Sequence, residues 1–256
     1  MVKGMLAHPL TRGLRMDDPR TTERRRQIIG QKVFLRRIYE DWYAGIVSSL
    51  PAEEGPVLEI GSGAGFLKDV IPEAITSEVF HCSHVSVVMD GCQIPVAEGV
   101  LRAIVMIDVL HHLSKPRSFF KEATRCIRPG GVLVMVEPWV TSWSRLVYRR
   151  LHHEPFRPDA EDWEFSQEGV LSGANIALPW ILFQRDRAQF VSEFPQWQIR
   201  TLKLMMPFRY IVSGGVSLRS LQPGWSYVFW RNLEQTLRPF MPRLAMFAQI
   251  VLQKIR

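Results

Sequence analysis

Between residues 56 and 137 short apolar runs alternate with helical stretches, the pattern of a parallel sheet covered on both faces. The expected strands are 57–60, 74–78, 85–89, 103–109 and 132–137, with a short helix at 66–70, a longer one at 116–127, and a turn at Arg128-Pro129-Gly130-Gly131. After residue 138 the alternation lapses. A helix is expected at 142–151, then a long proline- and acid-containing connection, a helix at 186–194, a strand at 197–204 and an edge strand at 247–254. Ahead of the sheet, Leu35, Ile38, Trp42 and Ile46 recur at helical spacing while Arg24 to Arg26 and Arg36 to Arg37 stay outside. This predicts one amphipathic helix capped by Thr21 or Thr22 and ended by Pro51 and Gly55; the first 20 residues read as loose. The fold expected is α/β, seven-stranded and mostly parallel. It forms one domain: a helical cover at 1–54, a core at 55–138, an insertion at 139–184 and a basic, aromatic carboxyl-terminal part at 185–256.

With 256 residues, 46% of them hydrophobic, the chain can bury one large core. No apolar run reaches the roughly 18 to 20 residues of a membrane-spanning helix, and the first residues do not read as a secretory signal, so a cytoplasmic protein is expected. Cys82, Cys92 and Cys126 lack metal-type spacing and read as free thiols. His152 and His153 are adjacent but have no Cys or His nearby to complete a tetrahedral set, so no metal is expected.

The stretch LEIGSGAGF, residues 58–66, sits where the first strand hands over to a helix. Gly61 and Gly63 permit backbone conformations and close ligand approach that a side chain would obstruct, and Gly65 lets the start of the following helix pack tightly. A dinucleotide fingerprint would place its third glycine at residue 66, which is Phe66 here. Glu59 is poorly placed beside a pyrophosphate and suits a ligand bearing an ammonium or another cation. No phosphate-cradling GK[ST] turn and no nucleophile elbow is present.

Residues 55 to 140 resemble a class I S-adenosylmethionine-dependent methyltransferase of the broad group called methyltransferase type 11. Four landmarks carry the resemblance in order: the glycine turn, MDGCQIP at 89–95, AIVMIDVLHHL at 103–113 and RPGGVLVMVEP at 128–138. The resemblance implies a Rossmann-like fold, methyl transfer, and S-adenosylmethionine received at Glu59, Gly61, Ser62, Gly63 and Gly65. It implies that Glu78 accepts from the ribose hydroxyls, with His81 or Ser83 as alternatives. Asp90 and the backbone of Gly91 would meet the adenine, and Asp108, Val109 and Leu110 would lie near the sulfonium. His111 and His112 follow the fourth strand and are the candidate catalytic groups, His112 as base or substrate orienter; capping of the strand end is the competing role. Only eleven residues separate Glu78 from Asp90, too few for the usual helix, which leaves the adenine pocket open on one side or closed by another segment.

Substrate recognition is expected outside the core. Tyr39, Trp42 and Tyr43 either fold over the cofactor or pack the helix on the sheet. Trp139, Trp143, Tyr148, Trp163, Phe165, Trp180 and Phe183 either line an apolar pocket or form a subsidiary core. From residue 198 onward nine Lys or Arg face one acid, Glu234, among Trp225, Tyr227, Phe229, Trp230 and Phe240. The combination points to a small or lipid-linked acceptor and to peripheral contact with an anionic membrane; nucleic acid is the less favoured partner, since Glu137-Pro138-Trp139 is not an amine-methylation motif. The rival reading keeps the fold without catalysis, as a protein that binds the cofactor or serves as a scaffold.

Overall fold

The computed structural model describes residues 8–11, 18–152, 154–166 and 173–255. Helices α1 (Pro19–Gln31) and α2 (Val33–Val47) precede β1 (Val57–Glu59), β2 (Ile75–Glu78), β3 (Val87–Val88) and β4 (Leu101–Ile107). Next come α3 (Pro116–Cys126), β5 (Ile127–Pro138), α4 (Ser142–Leu151), α5 (Leu178–Trp180), α6 (Arg187–Glu193) and β6 (Trp197–Met205). Helices α7 (Arg209–Ser213), α8 (Tyr227–Thr236) and α9 (Met241–Leu244) lead into β7 (Phe247–Lys254).

All seven strands form one sheet, in the order β3-β2-β1-β4-β5-β7-β6. The first five are parallel, and β7 runs antiparallel between β5 and β6. β7 is therefore interior rather than the expected edge strand: five of its eight residues are buried apolar ones, which suits a strand paired on both sides. A single row of pairs, Ile75, Leu58, Ile104, Leu133, Leu252 and Ile199, crosses the sheet from β2 to β6. This register brings the carboxyl ends of β1, β2, β3 and β4 to one edge.

Successive side chains of a strand point to opposite faces, and each face has its own core. On one, Leu58, Ile104, Leu133 and Leu252 pack against Phe119 and Phe120 of α3 and against Phe183 and Phe190. On the other, Val57, Val105, Val134 and Val251 meet Leu35, Ile38, Trp42 and Ile46 of α2. Burying each such large side chain is worth about 1.5–3 kcal/mol, so this periodicity fixes which face α2 covers. Trp42 belongs to that core, against Tyr210 and Phe247. The aromatics of the insertion likewise pack inward: Trp139, Tyr148, Trp163 and Phe183 are all buried.

Three local differences from the expected pattern have physical causes. The amino-terminal cover is two helices, capped by the Asp18 carboxylate on the Arg20 N–H (2.9 Å), with Thr21 and Thr22 buried inside α1. The break is at Lys32, whose buried ammonium donates to the Gly215 and Leu218 carbonyls and whose pKa burial lowers to about 8. The RPGG turn is a bulge in β5: Leu101 pairs with Ile127 but Ala103 with Val132, so residues 128–131 loop out with Gly130 at φ 81°. The helix expected after the glycine turn is only a 3-10 turn, Leu67–Asp69. Residues 1–7 and 12–17, read as loose, lie outside the described residues.

Candidate active site

A cleft of about 750 Å³ opens at the carboxyl edge of the sheet. Its floor is the glycine turn. Gly61 has φ 62° and Gly63 φ 49°, both in the left-handed region where a side chain is strained. A Cβ on Gly61 would lie 2.6 Å from the Val109 side chain, and one on Gly65 would lie 2.2 Å from the Tyr43 hydroxyl. Gly65 thus makes room for a tyrosine from α2, not for a following helix. The Tyr43 hydroxyl accepts from the Phe66 N–H (3.0 Å) and donates to Glu59 Oε1 (3.2 Å). Arg26 of α1 donates to the Gly65 carbonyl.

Two carboxylates close this side. Glu59 ends β1 and is 2% exposed; its Oε2 is buried with no partner among the described residues. Burial raises its pKa to about 7. Glu78 ends β2, and its Oε1 and Oε2 accept from the Gly63 and Val79 N–H groups at 2.9 and 3.0 Å. Its pKa is also raised, by burial. The short connection to β3 has no helix; instead His84 Nε2 lies 2.7 Å from the Gly63 carbonyl and braces the turn from outside. Asp90 is exposed after β3, accepts from the Cys92 N–H (2.8 Å), and lines the cleft with Gly91 and Ser62.

The opposite side begins at the end of β4. Asp108 is a non-glycine residue at φ 62°, an uncommon conformation held by its N–H bond to the Val136 carbonyl (2.8 Å). It lines the cleft with Val109 and His112, and burial raises its pKa to about 6. Leu110 does not line it: this residue is fully buried, and its N–H donates to Glu137.

His111 is likewise behind the wall, 1% exposed. Glu137, completely buried at the end of β5, accepts from the Val109 and Leu110 N–H groups through Oε1 (2.9 and 2.7 Å) and places Oε2 2.9 Å from His111 Nδ1. Burial disfavours the imidazolium, but Glu137 on one side and Glu154 on the other overcome it and hold the His111 pKa well above its usual value. His112 faces the cleft. Burial and the adjacent His111 push its pKa down to about 3, so its imidazole is neutral at working pH. The roof comes from elsewhere: Tyr39 and Tyr43 of α2, Arg25 of α1, and Tyr210 and Val216 from α7 and beyond.

Of the site residues expected from the sequence, Glu59, Gly61, Ser62, Gly63, Gly65, Glu78, Asp90, Gly91, Asp108, Val109 and His112 share the cleft; Leu110 and His111 support it from behind. His81 is exposed and does not line it. Glu137, Glu154 and Tyr210 were not legible as site residues. For Glu137 the signal lay in its place at the carboxyl end of a central strand; Tyr210 and Glu154 have none, because they arrive from distant segments.

Residues 58–135 match the sequence model described as a methyltransferase domain. No curated protein matches the chain. Among solved structures, an S-adenosylmethionine-dependent methyltransferase from Thermotoga maritima, described as a possible histamine N-methyltransferase, superposes with a TM-score of 0.52 at 13% identity, over 84% of this chain and 89% of the other. A second, from Archaeoglobus fulgidus, gives 0.52 at 13% identity, over 86% and 94%. The match runs from the glycine turn into β5, and the sheet with its antiparallel β7 has the strand order of that fold. Over residues 58–135 the chain thus matches a methyltransferase domain, and its fold is that of these S-adenosylmethionine-dependent methyltransferases.

Proposed function

We propose that the chain is a methyltransferase that binds S-adenosylmethionine against Glu59, Gly61, Gly63, Glu78 and Asp90 and methylates an acceptor seated between Asp108, His112, Tyr39 and Tyr210. One observation carries the reading: Glu59 Oε2, a buried carboxylate oxygen without a partner among the described residues, on a residue that lines the cleft beside a turn where side chains are excluded. A ligand ammonium would satisfy that oxygen, and an adenosine ribose would reach Glu78, whose two oxygens keep acceptor capacity beyond the backbone bonds they already make. The cofactor supplies a methyl group activated by a sulfonium.

The residues then have separable tasks. Tyr39, Tyr43 and Tyr210 cover the cleft and exclude water. Asp108, with its pKa near 6, is ionised at neutral pH and close enough to working pH to take a proton from an acceptor hydroxyl or amine. His112 is too weak a base for that and orients the acceptor. Isothermal calorimetry tests binding: S-adenosylhomocysteine should bind and NADH should not. Labelled cofactor added to cell extract then tests turnover by showing which fraction takes the methyl group; binding without transfer to any fraction would favour the scaffold reading.

A second feature favours an amphipathic acceptor. Trp225 is 81% exposed and Phe229 63%, with Val228 and Leu221 exposed beside them in sequence. Trp225, Val228 and Phe229 fall three and four apart across the 3-10 turn Gly224–Ser226 and α8, and so share one face. Arg219, Arg238 and Arg243 are exposed in the same segment. This aromatic and basic surface suits an anionic lipid interface, and no helix among the described residues is long and apolar enough to cross a membrane. Sedimentation with phosphatidylglycerol vesicles should retain the protein more than phosphatidylcholine vesicles, and the double change Trp225→Ser with Phe229→Ser should remove the difference.

A further inference from the structure

His111 and His112 present a pair of imidazoles whose Nδ1 atoms are both turned toward protein acceptors. His111 Nδ1 lies 2.9 Å from Glu137 Oε2, and His112 Nδ1 lies 3.4 Å from the Gly173 carbonyl. Their Nε2 atoms therefore point the other way, and both point at one carboxylate: His111 Nε2 is 3.5 Å from Glu154 Oε2 and His112 Nε2 is 3.8 Å from Glu154 Oε1. The three ligand atoms lie within 4.8 Å of one another. Separations of 3.5 and 3.8 Å are long for charge-assisted hydrogen bonds, which run about 2.7–2.9 Å. They are close to the spacing of two ligands held about 2.0–2.2 Å from a common metal ion.

A set of hydrogen bonds frames these atoms. Asn175 donates its N–H to the His111 carbonyl (2.8 Å). Its side chain accepts from the Arg157 N–H and donates to the Arg157 carbonyl (3.0 and 3.1 Å), fixing the segment that carries Glu154. Ile176 adds a bond to the Pro155 carbonyl (3.1 Å). A carboxylate or carbonyl on the far nitrogen is the usual orienting partner of a metal-bound imidazole, and here each histidine has one.

We propose that His111 Nε2, His112 Nε2 and the Glu154 carboxylate form a binding site for one divalent transition-metal ion of the zinc, iron or cobalt class. Two imidazoles and one carboxylate select such ions over magnesium, which prefers oxygen ligands, and three protein ligands leave coordination positions open. Of the three ligands only His112 lines the cleft, beside Asp108, so its edge is the one through which the ion would reach the acceptor side. There the ion would hold an oxygen donor, a hydroxyl, enolate or carboxylate. That use rests on the methyl-transfer reading; the site itself does not.

Tag-free protein, stripped with chelator, is titrated with Co²⁺ and followed by its visible absorption, with bound metal counted by elemental analysis. One equivalent should bind with the spectrum of a four- or five-coordinate ion. Glu154→Gln and His112→Ala should each weaken binding by about 100-fold, while Cys92→Ser, which removes the half-exposed thiol of the cleft, should leave it unchanged. Circular dichroism and S-adenosylhomocysteine calorimetry on the same variants show that the fold and the glycine-turn site persist. Failure to take up one equivalent, or uptake that neither ligand substitution weakens, overturns the metal site and leaves the methyl-transfer reading standing; loss of nucleoside binding with metal binding intact does the reverse.

Discussion

The cofactor side of the cleft is assembled from residues 59 to 93, the ends of three neighbouring strands and their turns, whereas the acceptor side gathers residues from α1, α2, β4, β5, the insertion and α7. On the first side the two carboxylates sit at their own strand ends and have partners within 16 residues: Glu78 accepts from the Gly63 N–H, 15 away, and Glu59 from the Tyr43 hydroxyl, 16 away. On the second, nearly every group depends on a partner more than 20 residues distant: His111 on Glu137 and Glu154, His112 on Gly173. On the function proposed above, such a construction would place substrate selectivity where loops vary freely, while the cofactor seat would need only strand ends and turns. Three substitutions test how separate the two sides are.

The largest effect is expected at the joint of the acceptor side. Glu137→Ala removes the acceptor of two backbone N–H groups and the counter-charge of a buried imidazole, and should cost about 3–5 kcal/mol of stability in urea denaturation. Should the loss stay below about 1 kcal/mol, the acceptor side is not held by that carboxylate. On the other side, Gly63→Asp forces a side chain into a left-handed position with its Cβ 3.5 Å from the Glu78 carboxylate. S-adenosylhomocysteine affinity should fall at least about 100-fold, or about 2.7 kcal/mol, with Co²⁺ uptake unaffected.

The smallest expected effect, about tenfold in affinity, is at Glu59, and it carries a pH signature. In the folded chain its pKa of about 7 lies above the roughly 4.3 of an unfolded glutamate, so Glu59 takes stability away from the free protein as pH rises through that interval. A bound ammonium favours the ionised form and lowers that pKa. Binding of S-adenosylhomocysteine near pH 7 should therefore release part of a proton, seen by calorimetry in buffers of different ionisation enthalpy. Glu59→Gln should weaken binding about tenfold and abolish the release; proton uptake instead would show that Glu59 does not meet the ammonium.

The same contrast explains what was readable in the sequence. Strand alternation is a local, period-two signal, and the core strands β1, β2, β4 and β5 fall within a few residues of where it puts them. The glycine turn is local as well, and Gly61, Gly63, Glu59 and Glu78 meet as their spacing implies. The interior place of β7 is not local: residues 247–254 read as a strand, but only pairing with both β5 and β6 decides where it lies. Nor does the sequence around Lys32 announce a break, because the carbonyls that receive its ammonium lie more than 180 residues away. Glu154 follows the same rule. It lies near His152 in sequence and in space, but its further partners His111 and His112 belong to a turn some 40 residues earlier.

The 3-10 turn Leu67–Asp69 has one more implication, for how this seat can change over time. A full helix beginning at a glycine turn contributes the positive end of its peptide dipoles, about half a unit charge, and that field is what lets related turns take up phosphate. One short turn supplies little of it, and the carboxyl groups of Glu59 and Glu78 flank the turn. Redirecting this turn toward nucleotide diphosphates would thus take more than replacing its two acids: it would need helical residues added behind the turn to supply the missing dipole.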